Sequence, residues 1–154
     1  MGGDLKAHGS RKAPTFLVAA MKDPQGANLD RVQIVKGWLD ADGSTHERIY
    51  DVAVSGGRSI GTDGRCATAV GSTVNLKTGQ YRNDIGAAEL HTVWRDPHFD
   101  PAQRAFYYAR VLEIPTPRYS LLDSIALGKP WEDTGRPATI QERVYGSPIW
   151  YTPQ

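Results

Sequence analysis

Punctuation constrains this chain more than any other feature. Short apolar runs alternate with turn chemistry from one end to the other. "FLVAAM" at 16–21 gives way to Asp23-Pro24 and Gly26, "RVQIVKGWLD" to Asp42-Gly43, and "HERIYDVAVS" to a Gly-, Ser-, Thr- and Asp-rich tract over 56–71. A strand repeats its faces every second residue and a helix every 3.6 residues. Val32, Ile34 and Trp38 share one face, interrupted by Lys36, while Tyr50, Val52 and Val54 oppose Ile49, Asp51 and Ala53. Asp-Gly accommodates the positive φ of a tight turn. The pattern therefore predicts a β-hairpin of 31–39 and 46–54.

The same reading extends along the chain. "STVNLKTGQY" alternates at Val74 and Leu76 and reads as a further strand. "AAELHTVWRD" sets Leu90, Thr92 and Trp94 against Glu89, His91, Val93 and Arg95, the mark of a half-buried strand. "RDPHFDPAQ" offers Asp100 as a cap, Pro101 at a first helical position and Gln103 as capping-box partner, which predicts one helical turn. "FYYARVLEIPTPRYS" over 106–120 is apolar on both faces and reads as a central strand covered on both sides, ended by Pro115 and Pro117. "SLLDSIALG" is the one good helix, with Ser120 as cap, Asp123 as its partner, a Leu121, Leu122 and Ile125 stripe, and Gly128 as terminator. "TIQERVYGSPIWY" is extended and broken at Gly146 and Pro148.

Many strands and one helix indicate a mainly β fold, an antiparallel β-sandwich of Ig-like or jelly-roll-like type with a short helical insertion near 120–128. At 154 residues the chain is long enough for one such domain with its own core. The division is a flexible N-terminal arm over 1–14, carrying a loose basic cluster from Lys6 to Lys12, and a sandwich over 15–154. Net charge of +1 supplies no basic field for nucleic acid. No stretch approaches the length of a membrane span. The start "MGGDLKAHGSRKAP" lacks the apolar core of a signal peptide. The single cysteine, Cys66, precludes an internal disulfide and reads as structural.

Chemistry-bearing residues are sparse. None of His8, His46, His91 and His98 forms a His-x-His or HEXXH pair. Glu89 and His91 share a strand face, and His98 stands between Asp96 and Asp100. Glu89, His91, Asp96 and His98 are therefore the candidate metal ligands, against the plainer reading of strand polarity and Asp-Pro turns. "DADGSTHE" lacks the spacing of a calcium loop, and "GGRSIGTDG" lacks the Lys-Ser/Thr and following helix of a P-loop. No G-x-S-x-G elbow occurs. Arg110 and Glu113 read as a charge pair within or beside the core, since burying either alone is costly. With Tyr108 and Arg118 they are the candidates for an interface or cleft. Trp38, Trp94 and Trp150 read as core, leaving Trp131 as the candidate exposed aromatic.

"DRVQIVKGWLDADGSTHERIYDVA", "STVNLKTGQYRNDIGAAEL", "VWRDPHFDPAQRAFYYARVLEIPTPR" and "PATIQERVYGSPIWYTP" resemble the bacterial family filed as domain of unknown function 3604, in its C-terminal region. Tyr119 departs from the tryptophan expected after Pro-Arg. The resemblance implies a relationship to PHP (polymerase and histidinol phosphatase) metal-dependent hydrolases. It places the divalent-metal ligands in an upstream catalytic domain and none in this chain, and it implies export to the periplasm or beyond. Arg110 and Glu113 would then face that catalytic domain. The expected role is a non-catalytic accessory domain with no cofactor of its own. The alternatives are a self-associating or partner-binding protein with an open sheet edge, and a sugar-binding sandwich using exposed aromatics.

Overall fold

The computed structural model describes residues 2–5 and 12–153. The expected hairpin forms as β3 (Leu29–Leu39) and β4 (Thr45–Val54), joined through the Asp42-Gly43 turn, where Gly43 has φ of 87°. β3 is also paired along its length with β6 (Arg104–Glu113), which makes these two strands the centre of the main sheet. Beyond β6 lie β9 (Arg143–Tyr145) and β10 (Ile149–Tyr151), both antiparallel to it. β1 (Gly3–Leu5) pairs parallel to β10 at the edge, so the sheet is mixed rather than wholly antiparallel. That strand lies within the segment expected to be a flexible arm. Of the basic cluster from Lys6 to Lys12, positions 6–11 lie outside the described residues.

The second layer has two strands, β2 (Thr15–Met21) and β5 (Glu89–Arg95), paired antiparallel in uninterrupted register. Period two puts Phe16, Val18, Ala20, Leu90 and Trp94 of this ribbon against Val32, Ile34, Tyr50, Val52, Ala105 and Tyr107 of the main sheet. Phe16 packs on Tyr107 with ring centroids 4.9 Å apart, and Trp94 on Tyr50 at the same distance. The molecule is thus a β-sandwich, with one layer much broader than the other. A short ribbon of β7 (Thr116–Pro117) and β8 (Thr139–Ile140) leads into and out of the helical insertion.

Several expectations are corrected. Residues 72–81 form no strand. Asn75 accepts from the Lys77 and Gly79 amides, and Thr73 exchanges hydrogen bonds with Arg82, so local side-chain bonds replace a ladder. Over 100–103 a turn forms instead of a helical one, with the Ala102 backbone N–H donating to Asp100 Oδ1, while the Gln103 side chain donates from Nε2 to Asp40 Oδ1. β6 is central but not covered on both sides: its odd-numbered residues face the ribbon, while Phe106, Tyr108, Arg110 and Leu112 are only half-buried on the outer face.

The helix α1 (Tyr119–Ala126) has its cap position at Arg118, two residues before the expected Ser120, and no side-chain cap. Ser120 is instead buried in the first turn, its hydroxyl without a partner, and Ser124 Oγ donates back to the Ser120 carbonyl at 2.8 Å. Gly128 does end the helix. At φ of 63° it donates to the Ile125 carbonyl, and Lys129 donates to the Ser124 carbonyl, which together satisfy the last turn. A 3₁₀ turn at Trp131–Thr134 follows.

Candidate functional site

Among the described residues, two buried polar centres and several surface grooves are the places where chemistry or binding could occur. The first centre sits on the outer face of the main sheet. Asp30 and Asp51 are buried, and ionised carboxylates there need nearby cations and donors. Arg31 bridges them, with Nε 3.1 Å from Asp30 Oδ2 and Nη1 3.1 Å from Asp51 Oδ2. Arg58 donates to Asp30 Oδ1 at 2.5 Å, and Gln141 to Asp30 Oδ2 at 2.9 Å. Gln33 donates to Asp51 Oδ1 at 2.7 Å and accepts from Arg110 Nε at 2.7 Å. The backbone amide of buried Cys66 donates to Asp51 Oδ2, which anchors the 56–71 loop to β4 and gives this cysteine a structural setting.

This arrangement corrects the expected Arg110–Glu113 pair. Residues three apart on a strand point to opposite faces. Arg110 joins the outer-face network, whereas Glu113 turns towards the ribbon side. There Glu113 is pushed above the usual carboxylate range by burial, with Glu142 and Asp23 adding to the effect.

The second centre lies between the layers. Lys36, the residue that interrupts the apolar face of β3, places Nζ 2.6 Å from Asp96 Oδ2 and donates to the His98 carbonyl at 2.7 Å. Tyr107 donates its hydroxyl to the same Asp96 oxygen at 2.8 Å, and the His98 amide donates to Oδ1 at 2.8 Å. Burial, then the Asp96 contact, raise the Tyr107 hydroxyl far above its ordinary range. Sequence reasoning missed Lys36 as a site. A lysine on an apolar strand face signals a buried partner, but nothing local names an aspartate sixty positions away.

The candidate metal ligands are not brought together. Asp96 is committed to Lys36, Tyr107 and the His98 amide. His98 sits beside the Tyr50 hydroxyl at 3.1 Å, and Glu89 and His91 are exposed on the far face of β5. Among the described residues no three of His, Cys, Asp and Glu gather to hold a metal ion, so the donor set does not fit one. Arg118 lies with its guanidinium 5.5 Å from the Tyr119 ring, and its Nε is buried without a partner. Trp131 is half-buried in the 3₁₀ turn, while Trp150, expected in the core, is 50% exposed. β10 alternates its faces, and Tyr151 rather than Trp150 points inward.

Trp150 borders a groove of about 570 Å³ that also meets Phe106, Arg104, Glu47 and Thr152. Phe106 lies between Trp150, tilted with centroids 5.3 Å apart, and Tyr108, stacked at 6.3 Å, and Tyr108 adjoins Tyr145 at 6.1 Å, so aromatic rings cross the outer face. Gly37 permits this: a Cβ there would sit 2.4 Å from the Phe106 ring. Another groove, about 590 Å³, runs between β2 and β9 over Ala109 and Val111 and ends at Glu113.

No curated protein and no solved structure matches the chain. The model of the family described as Protein of unknown function (DUF3604) matches residues 1–153, nearly the full length, and the chain belongs to that family.

Proposed function

We propose that this chain is a non-catalytic accessory β-domain of a PHP-like metal-dependent hydrolase, supporting a catalytic domain through its narrow second layer. The proposal draws on the family resemblance for the hydrolase and on one observation for the docking role. Leu17, Met21 and Val93 are 76%, 77% and 67% exposed on the outer face of the β2–β5 ribbon. Isolated exposed apolar residues are ordinary, but three on one small two-stranded face favour a surface that another layer covers. The buried ionic groups, in contrast, are occupied by one another. Arg31, Arg58, Asp30 and Asp51 satisfy the outer network, and Lys36 and Asp96 the inner one. A general acid or base needs a partner in reach of substrate, which these internal pairs do not offer.

The test is to incubate the chain alone with Mn²⁺ or Zn²⁺ and generic phosphate esters. Turnover no greater than that of the metal in buffer is expected. Robust turnover that disappears on substituting His91 or His98 would overturn the reading. A second reading, glycan binding, draws on the half-exposed Trp150 beside Phe106, since aromatic faces stack on sugar rings. A glycan panel that leaves tryptophan fluorescence unchanged, in the wild type and in Trp150→Ala, would dismiss it.

A further inference from the structure

The small layer has two strands and the sheet it covers has six. β5 packs towards β4 and β3, and β2 reaches β6 through the Phe16–Tyr107 contact. Beyond β2 the ribbon-facing side of β6 is left as a trough. Two hollows of about 590 and 230 Å³ share Val18, Ala19, Ala109 and Gly146, so they form one channel along β2. Its floor is low because Ala109 and Gly146 carry little or no side chain. Among the described residues β2 pairs with β5 alone. In an antiparallel ladder every second residue turns its N–H and C=O away from the partner, here towards the trough. The groove is therefore an apolar channel walled on one side by an open strand edge.

One end of the channel is acidic. Asp23, Glu113 and Glu142 line it, and none of them makes an ion pair among the described residues. Lys22 adjoins them but directs Nζ to the carbonyls of Asp23, Pro24 and Gly26 at 2.8–3.0 Å. Arg143 reaches only the Gln141 carbonyl, at 3.5 Å. Burial, with the charges of Glu142 and Asp23 nearby, disfavours the charged form of Glu113, and a cation placed among them would relieve it.

We infer that the trough receives an extended strand of a partner polypeptide, apolar at alternate positions and carrying a lysine or arginine at the end beside Glu113. The strand adds a third member to the β2–β5 layer: its backbone bonds the open edge of β2, its alternate side chains cover Ala109 and Val111, and its cation meets the acidic end. Affinity then comes from main-chain hydrogen bonds and specificity from the side-chain pattern. β2 spans seven residues, so an occupant of about five to seven residues fits at ~3.3 Å per residue. The inference deepens the docking reading by naming the partner's chemistry, and it requires no activity in that partner.

The experiment uses the full chain with synthetic nine-residue peptides of alternating valine and threonine. Two carry lysine, one at each terminus, two carry glutamate in its place, and two carry lysine with a central proline. Binding is read by calorimetry and by amide hydrogen exchange. One lysine peptide should bind and slow exchange at alternate β2 amides at least tenfold. The matching glutamate peptide should bind at least tenfold more weakly, and the proline peptide should not bind. Glu113→Gln with Glu142→Gln should erase the lysine preference, and if that variant does not fold, the comparison on the wild type decides alone. Unchanged β2 exchange at millimolar peptide overturns the inference, as does binding insensitive to proline. Protection of β2 that rises with protein concentration alone overturns it too, because the occupant would be a second copy. None of these readouts involves phosphate-ester turnover, so this inference and the accessory-domain reading can fail separately.

Discussion

Asp96→Asn is the sharpest perturbation of the interior. The carboxylate is wholly enclosed and accepts from Lys36 Nζ, the Tyr107 hydroxyl and the His98 amide. Asparagine preserves its volume but removes its charge, which leaves the Lys36 ammonium, on a side chain only 4% exposed, with neutral carbonyl acceptors and no counter-charge. Breaking a buried ion pair from one side costs about 3–5 kcal/mol, a large part of the ~5–15 kcal/mol that holds a domain together. At a urea slope of ~2 kcal/mol/M the midpoint should fall by roughly 2 M. The assay is urea titration followed by tryptophan fluorescence, since Trp38 lies 5.4 Å from Nζ and Trp94 packs on Tyr50. Adding Lys36→Met should rescue most of the loss, because the pair is then replaced by neutral groups of similar volume, with a coupling of at least ~2 kcal/mol. A loss below ~1 kcal/mol for Asp96→Asn would refute this account of the core, and so would a double variant in which the two costs simply add.

Four further outcomes follow from the geometry. Ser120→Ala should stabilise the protein by about 1 kcal/mol in thermal or urea unfolding, because it removes a buried hydroxyl with no partner; a helix cap at that position would give the opposite sign. Gly37→Ala should cost about 1–3 kcal/mol and shift the aromatic circular dichroism, since its Cβ meets the Phe106 ring. The raised Tyr107 hydroxyl means the folded state holds that proton more tightly, so its stabilisation is complete below the ordinary tyrosine range and is lost as pH rises past ~10. Tyr107→Phe should therefore lose stability less steeply than the wild type in alkaline urea titrations. Glu113 is likewise raised, so its contribution is present below the ordinary glutamate range and lost as pH rises through its folded value. Glu113→Gln should then stabilise the fold at pH 7, by no more than about 0.5 kcal/mol, and leave it unchanged at pH 3.

Local pattern determined a large part of this molecule. Alternation over Val32–Trp38 and Tyr50–Val54, closed by Asp42-Gly43, was enough for the β3–β4 hairpin, because register and turn type follow from adjacent residues. The faces of β5 and the Gly128 helix stop were readable for the same reason, since side-chain period and positive φ are properties of a few consecutive positions. The 72–81 stretch misled because Val74 and Leu76 alternate, yet Asn75 and Thr73 bond their own neighbourhood before any strand can pair with it. Ser120 misled because a cap and a buried first-turn serine look alike until the helix is docked.

What no local pattern could decide is which distant groups share a space. Lys36 with Asp96, Gln33 with Asp51 and Arg110, and Asp30 with Arg58 and Gln141 meet only because β3 lies at the centre of the sheet and the loops fold back on it. The width of each layer is also a tertiary fact. Six strands under two leave a trough at the β2 edge, and the sequence of β2 would read the same with a third strand beside it. Periodicity records which face of a strand is apolar. It holds no information about what lies along the strand's edge, because backbone donors and acceptors are identical at nearly every residue.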